Sequence, residues 1–288
     1  MNLTDPDFIK KLETLYLLAR KVLGGDLKAD RKSHRKGAGI IFSDYSEYIF
    51  GDDYRSIDWT IYARLEQLVV KLFELEEDVP VFLLLDISRS METKLRYAKQ
   101  LTAALGYIAL NNLDKLAVYG ITENLTPLFQ LGHGRARSIP FLRALNEVSC
   151  AGSDTDFTQS LRRFQSRHKR PGICVLVSDF FTPRGYEEGL KFLRWAKHDV
   201  YCLQVLDPRE MKCDWRGDVE MECVETHARR RITVSPREVE MYETALRDWN
   251  RALERECARR KIGFARTTTE IPFEHVIQTI LRRGGLIA

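Results

Sequence analysis

The stretch Val81-Phe82-Leu83-Leu84-Leu85-Asp86-Ile87-Ser88-Arg89-Ser90-Met91 constrains this chain more than any other. An unbroken apolar run ends in a carboxylate, two hydroxyls follow at alternate positions, and a helical pattern then begins. Such a run is the pattern of a strand buried on both faces, which belongs in a parallel sheet covered by helices. In open α/β sheets, ligands sit beyond the carboxyl ends of the strands, where Asp86, Ser88 and Ser90 fall. All three offer hard oxygen donors, with no imidazole or thiolate beside them. That set suits Mg²⁺, with Mn²⁺ or Ca²⁺ as substitutes, better than zinc or copper.

The rest of the chain repeats the strand–helix alternation. Helices are expected over 93–113, 136–148, 157–168 and 186–197, and strands over 80–86, 116–121, 126–130, 173–178 and 199–206. Alternation on this scale implies a doubly wound, mostly parallel sheet. Upstream, Phe8, Leu12, Leu15, Ala19 and Val22 mark one face of a helix over 5–23, which Gly24-Gly25 is expected to end. The polar, basic segment 26–39 then reads as a linker, and the aromatic-rich stretch 40–66 as a compact piece holding a short helix over 55–66 and leading to a strand over 68–77. Beyond Asp207 the signal weakens, with short strands expected near 219–224 and 230–234. Ser235-Pro236 then caps a helix over 236–261, and a strand over 263–268 and a helix over 272–282 finish the chain. The implied organisation is an N-terminal extension (1–78), a central α/β domain (79–206) and a C-terminal extension (207–288) packed on the same sheet.

Composition narrows the function classes. A net charge of +4 over 288 residues is too small to imply nucleic acid by itself. The six cysteines form no CxxC pair and several fall in apolar runs, so they read as free thiols of a reducing, cytoplasmic compartment. The start of the chain has no secretory character, and no apolar run is long enough to span a bilayer.

A Mg²⁺ ion held mainly by hydroxyls and water keeps its electrophilic character and can accept a partner's carboxylate. Its near-octahedral demand requires further oxygens. Thr155, in the loop Gly152-Ser153-Asp154-Thr155-Asp156 before a helix, is the best further donor, with Asp154, Asp156 or Thr158 as alternatives. Asp179, at the end of the second buried apolar run, is the best outer carboxylate. Arg89, Met91 and Asp154 flank these positions and are the expected partner contacts.

Asp86-Ile87-Ser88-Arg89-Ser90-Met91, Thr155 and Val177-Ser178-Asp179 resemble the metal-ion-dependent adhesion site of von Willebrand factor A domains. The upstream stretches Phe42 to Tyr48, Gly51 to Trp59, Ala63-Arg64 and Val70 to Glu74 narrow the match: they resemble the bacterial family of domain of unknown function 58 (DUF58). The resemblance implies a von Willebrand A-like domain and a binding role rather than turnover. It further implies action beside a MoxR-type AAA+ ATPase, or its client, in assembly or metal-cofactor insertion. Ser46 stands where that family usually has Arg, and many members carry transmembrane helices where this chain has none, so it looks like a short soluble form.

Competing readings attach to several residues. A phosphohydrolase using Asp86 as nucleophile would need a second carboxylate at position 88, where serine stands. Nucleic-acid binding through the basic segment 28–36 is a further alternative. Arg55, Asp58 and Trp59 read more economically as a structural ion pair and a core aromatic than as a partner surface. Cys213, Cys223 and His227 fit no standard zinc spacing.

Overall fold

The protein is described by a computed structural model covering residues 2–30, 32–36, 41–76, 79–112, 114–152, 156–182, 184–222 and 229–282. The contacts divide it into two compact units, one of residues 1–19 with 79–288 and the other of residues 20–78. In chain order the elements begin with α1 (Pro6–Asp30), β1 (Lys32–Lys36), β2 (Ile41–Glu47), α2 (Trp59–Leu65) and β3 (Val69–Glu76). There follow β4 (Val81–Asp86), α3 (Leu95–Asn111), β5 (Lys115–Ile121), β6 (Leu125–His133), α4 (Ser138–Asn146), α5 (Phe157–Arg167) and β7 (Ile173–Ser178). The last elements are α6 (Glu187–Trp195), β8 (Asp199–Leu206), α7 (Pro208–Met211), β9 (Gly217–Glu222), β10 (Arg229–Val234), α8 (Pro236–Arg259), β11 (Gly263–Thr268) and α9 (Phe273–Arg282).

The larger unit is built on a six-stranded sheet of order β11-β8-β7-β4-β5-β6. Every pairing is parallel except β5 with β6. All residues of β4 and β7 are buried, as their uninterrupted apolar runs require. One face of the sheet, carrying Phe82, Leu84, Cys174 and Leu176, packs on Phe157, Phe164, Leu190 and Leu253 of α5, α6 and α8. On the other face α3 packs against α4 and α9, and Phe8 of α1 meets Phe273 of α9 with ring centroids 5.3 Å apart. After β4 the chain adds β5 and β6 on one side, then returns to add β7, β8 and β11 on the other. The boundary between β4 and β7 is therefore the point where strand order reverses, the usual crevice for ligands in such sheets.

The smaller unit holds a three-stranded antiparallel sheet of order β1-β3-β2. Two expectations are corrected here. Gly24-Gly25 does not end the first helix, which runs on to Asp30, because glycine lowers helix propensity without removing a backbone donor. The segment expected to be a linker contains β1, paired with β3 from Lys32 opposite Glu76 to Lys36 opposite Leu72. Ladder pairing with a distant strand overrides a composition that reads as loop. The helix expected over 55–66 resolves into a 3₁₀ turn at Tyr54–Ser56 and α2, separated by Ile57 and Asp58. Trp59 is not a core aromatic: it is 59% exposed and stands edge-on to Tyr62, with ring centroids 6.1 Å apart. Among the described residues no helix is long and apolar enough to cross a membrane.

Candidate metal centre

The loop after β4 is shaped by its own polar groups. The Ile87 N–H donates to the Ile121 carbonyl (3.1 Å), extending the sheet by one residue, and the Ile87 carbonyl accepts from the Ala151 N–H (2.7 Å). Gly120 on β5 makes room for this: a Cβ there would lie 2.6 Å from Ile87 Cδ1. Asp86 Oδ1 then accepts the Ser88 N–H (2.9 Å), closing a side-chain turn. The chain enters a 3₁₀ turn over Arg89–Met91, and Ser88, at its cap position, makes no side-chain capping bond. Its hydroxyl instead lies 3.0 Å from that of Ser90. A helix-start role therefore does not account for Ser88. Two hydroxyls and a buried carboxylate are gathered on one short loop.

The end of β7 completes the wall. Leu85 pairs with Val177, so Ser178 stands beside Asp86, and its hydroxyl donates to Asp86 Oδ2 at 2.6 Å. The same hydroxyl oxygen accepts the Phe180 N–H (2.8 Å), and Asp179 Oδ1 accepts the Phe181 N–H (2.8 Å). Phe180 holds a left-handed φ of 61°, unusual for a bulky residue, and its ring stacks on Phe157 at 5.6 Å. Core packing thus holds the turn that presents Asp179. The other Asp179 oxygen, Oδ2, accepts from the ammonium of Lys94 at 2.7 Å, and Lys94 also pairs with Glu210 of α7. The Asp179 carbonyl accepts from Gln204 Nε2 (3.1 Å), whose amide also donates to Asn250 Oδ1 (2.9 Å).

The two aspartates have different electrostatic surroundings. Asp86 is buried and, among the described residues, receives hydrogen bonds only from neutral groups. Burial first, and then the negative charge of Asp179, push its carboxyl up to about 6, against the lowering pull of the Ser178 and Ser88 bonds. Burial also works against the charge of Lys94, but Asp179 and Glu210 outweigh it and raise the ammonium's pKa above the usual lysine value.

Asp86, Ser88 and Ser90 are brought together, and Asp179 lies one residue beyond the Ser178 that bonds Asp86. Thr155 and Asp154 lie outside the described residues. The loop's flanks do run alongside the centre, through Ala151 N–H to Ile87 and Asp156 N–H to the Thr122 carbonyl (3.2 Å). Asp156, an alternative donor, is occupied elsewhere: it caps α5 through the Gln159 N–H (2.8 Å) and pairs with Arg184 (3.0 Å). Arg89 is exposed. Met91 is fully buried, so that expectation is corrected: its apolar side chain belongs to the core. Cys223 and His227 lie outside the described residues, and among those described no group of three His, Cys, Asp or Glu side chains is arranged to hold a metal. The donor set is instead one carboxylate with two hydroxyls, fitting a hard cation that completes its shell with water. Ser178, Lys94 and Glu210 are the site residues that sequence reasoning missed. The β4–β7 register finds Ser178, but no local pattern marks the other two.

A family model described as protein of unknown function DUF58 matches residues 44–252. The chain belongs to this family. Among its relatives is the uncharacterized protein Mb1516 of Mycobacterium bovis, 26% identical over 246 residues that cover 82% of this chain and 76% of the relative. A second, the uncharacterized protein MAV169 of Mycobacterium avium, is 30% identical over 79 residues, covering 27% of this chain and 46% of that one. Among solved structures this DUF58 chain is similar to the conserved hypothetical protein BatB of Bacteroides thetaiotaomicron (TM-score 0.46, 16% identity, 71% of this chain and 98% of that one). It is also similar to a von Willebrand factor type A protein of Catenulispora acidiphila (TM-score 0.41, 15% identity, 76% and 44%). A third is proximal thread matrix protein 1 of the mussel byssus, solved with a zinc-occupied MIDAS motif (TM-score 0.41, 11% identity, 72% and 46%).

Proposed function

We propose that this chain is a non-enzymatic binding module whose loop after β4 holds a divalent cation, with Mg²⁺ the preferred ion, and offers it to an acidic side chain of a partner protein. Asp86, Ser88 and Ser90 would hold the ion, Asp179 would stand outside them, and Thr155 remains the expected further donor. When bound, the ion would supply a Lewis-acidic position for a carboxylate ligand. The reading is carried by one observation: the Ser88 and Ser90 hydroxyls face each other at 3.0 Å beside a buried carboxylate that, among the described residues, has only neutral hydrogen-bond donors. Serine at position 88 leaves that place without the second carboxylate an aspartyl phosphohydrolase needs. The proposed partner is a MoxR-type AAA+ ATPase or its client, with this chain as adaptor in the cytoplasm.

The test is a pull-down with the purified chain as bait against the MoxR-type ATPase, in Mg²⁺ and in EDTA, beside Asp86→Ala. Capture that needs both Mg²⁺ and Asp86 supports the reading. Capture unchanged by EDTA and by the substitution sinks it, as does Mg²⁺-dependent phosphatase turnover that requires Asp86.

A further inference from the structure

Lys94 is an anomaly. Its side chain is fully buried, and lysine is almost never so unless its charge is paired. The backbone fixes it from both sides: the Lys94 N–H donates to the Met91 carbonyl (2.9 Å), and its own carbonyl accepts the Ala98 N–H (2.9 Å). The ammonium is therefore delivered by the same loop that carries Asp86, Ser88 and Ser90. It ends 2.7 Å from Asp179 Oδ2, beside Glu210, with the Phe181 ring centroid 5.5 Å away. With Phe181 N–H on the other oxygen, both oxygens of Asp179 are taken by donors of the chain itself.

We propose that Lys94 is a resident cation of the metal centre, which compensates Asp179 and Glu210 when no ion is bound and so holds down the centre's affinity for divalent cations. This rests on the metal reading above. Asp179 faces two claimants, the ammonium and the ion. A positive charge on that carboxylate weakens the attraction it offers a dication, and the buried setting screens the effect little. The alternative is that Lys94 only braces the fold. A brace and a competitor differ in sign: losing a brace loosens the centre and weakens metal binding, whereas losing a competitor strengthens it.

The experiment compares Mn²⁺ binding by the full chain, read by electron paramagnetic resonance with Mg²⁺ competition, in wild type, Lys94→Met and Lys94→Gln. Glutamine is neutral but still able to donate to Asp179, so it preserves the fold if methionine does not. Both variants are expected to bind Mn²⁺ more tightly, on the order of tenfold, and to gain more in Tm from added Mg²⁺ than wild type does. Adding Asp86→Ala to Lys94→Gln should abolish that gain. Wild-type binding that is equalled or weakened in a folded Lys94→Gln chain overturns the role of Lys94 alone. No binding by wild type or by either variant overturns the metal reading with it.

Discussion

Two buried aspartates, Asp58 in the smaller unit and Asp86 in the larger, answer the same physical problem in opposite ways. Asp58 is 7% exposed and Asp86 2%. Asp58 Oδ1 accepts the N–H groups of Thr60 (2.9 Å) and Ile61 (3.3 Å) at the start of α2. Its Oδ2 accepts the Tyr45 hydroxyl (3.1 Å) and pairs with Lys71 (3.0 Å). Lys71 above all holds its carboxyl down at about 2, helped by the backbone and tyrosine donors, and burial does not reverse this. Among the described residues Asp86 meets only neutral N–H and hydroxyl donors and no cation, and its carboxyl rises to about 6. A carboxylate that brings its own lysine is finished structure. One that is buried without a cation is incomplete, and neutral hydroxyls around it leave room for an ion from outside. Asp179 stands between the two, because Lys94 compensates it.

The contrast is tested most strongly at the hydroxyls. Ser88→Ala and Ser90→Ala should each weaken Mn²⁺ binding on the order of tenfold, measured by isothermal titration, while the metal-free Tm barely moves. A Tm loss in metal-free protein with unchanged binding would make the Ser88–Ser90 pair a structural contact and remove the difference between the two aspartates.

A smaller effect should appear in stability. For a carboxyl whose pKa is raised by folding, the penalty is absent below the unfolded value and grows as pH climbs through the folded value of about 6. In EDTA, Asp86→Asn should therefore be more stable than wild type at pH 7.5, by about 1–2 kcal/mol after allowing for imperfect hydrogen bonds. The advantage should shrink towards pH 5 and reverse when Mg²⁺ saturates the wild type. Thermal melts at the two pH values measure this; an Asp86→Asn chain destabilised at pH 7.5 in EDTA would mean that Asp86 is satisfied without an ion.

The same physics decides what could be read in advance. The central sheet was legible because buried parallel strands leave long, mostly apolar runs: 173–178 and 199–206 match β7 and β8 residue for residue, although β8 opens on the exposed Asp199 and carries Gln204. Asp86, Ser88 and Ser90 were legible because they are contiguous and lie at the end of such a run. Lys94 and Glu210 were not, because they meet only through a contact spanning 116 positions: a lone lysine before a helix has no pattern, and the capping box Asp207-Pro208-Arg209-Glu210 marks a helix start without pointing to Lys94. The segment 26–39 misled for a related reason: β1 owes its strand to β3, more than thirty residues away, and nothing local announces it. Trp59 misled because general burial tendency places tryptophan inside, whereas α2 has no buried residue at all.

The smallest effect belongs to Asp58, and it isolates what a resident cation does. Its pKa is depressed, so its stabilising contribution is present above the unfolded value near 3.8 and is lost as pH falls through about 2. Asparagine at this position can still cap α2 through its one oxygen, since asparagine caps helices as well as aspartate does, while its amide nitrogen can only donate, towards a Tyr45 hydroxyl turned to accept. Asp58→Asn should then leave hydrogen exchange across residues 44–71 nearly unchanged at pH 7, because an ion pair to a partly exposed lysine contributes little. Between pH 4 and pH 2, wild type should fall the small distance to the variant's level while the variant's profile stays flat. The direction is opposite to that at Asp86, where lowering the pH relieves a penalty. If acid loosened both chains equally, Lys71 would not be what distinguishes Asp58, and the missing cation at Asp86 would lose its meaning as the mark of a metal centre.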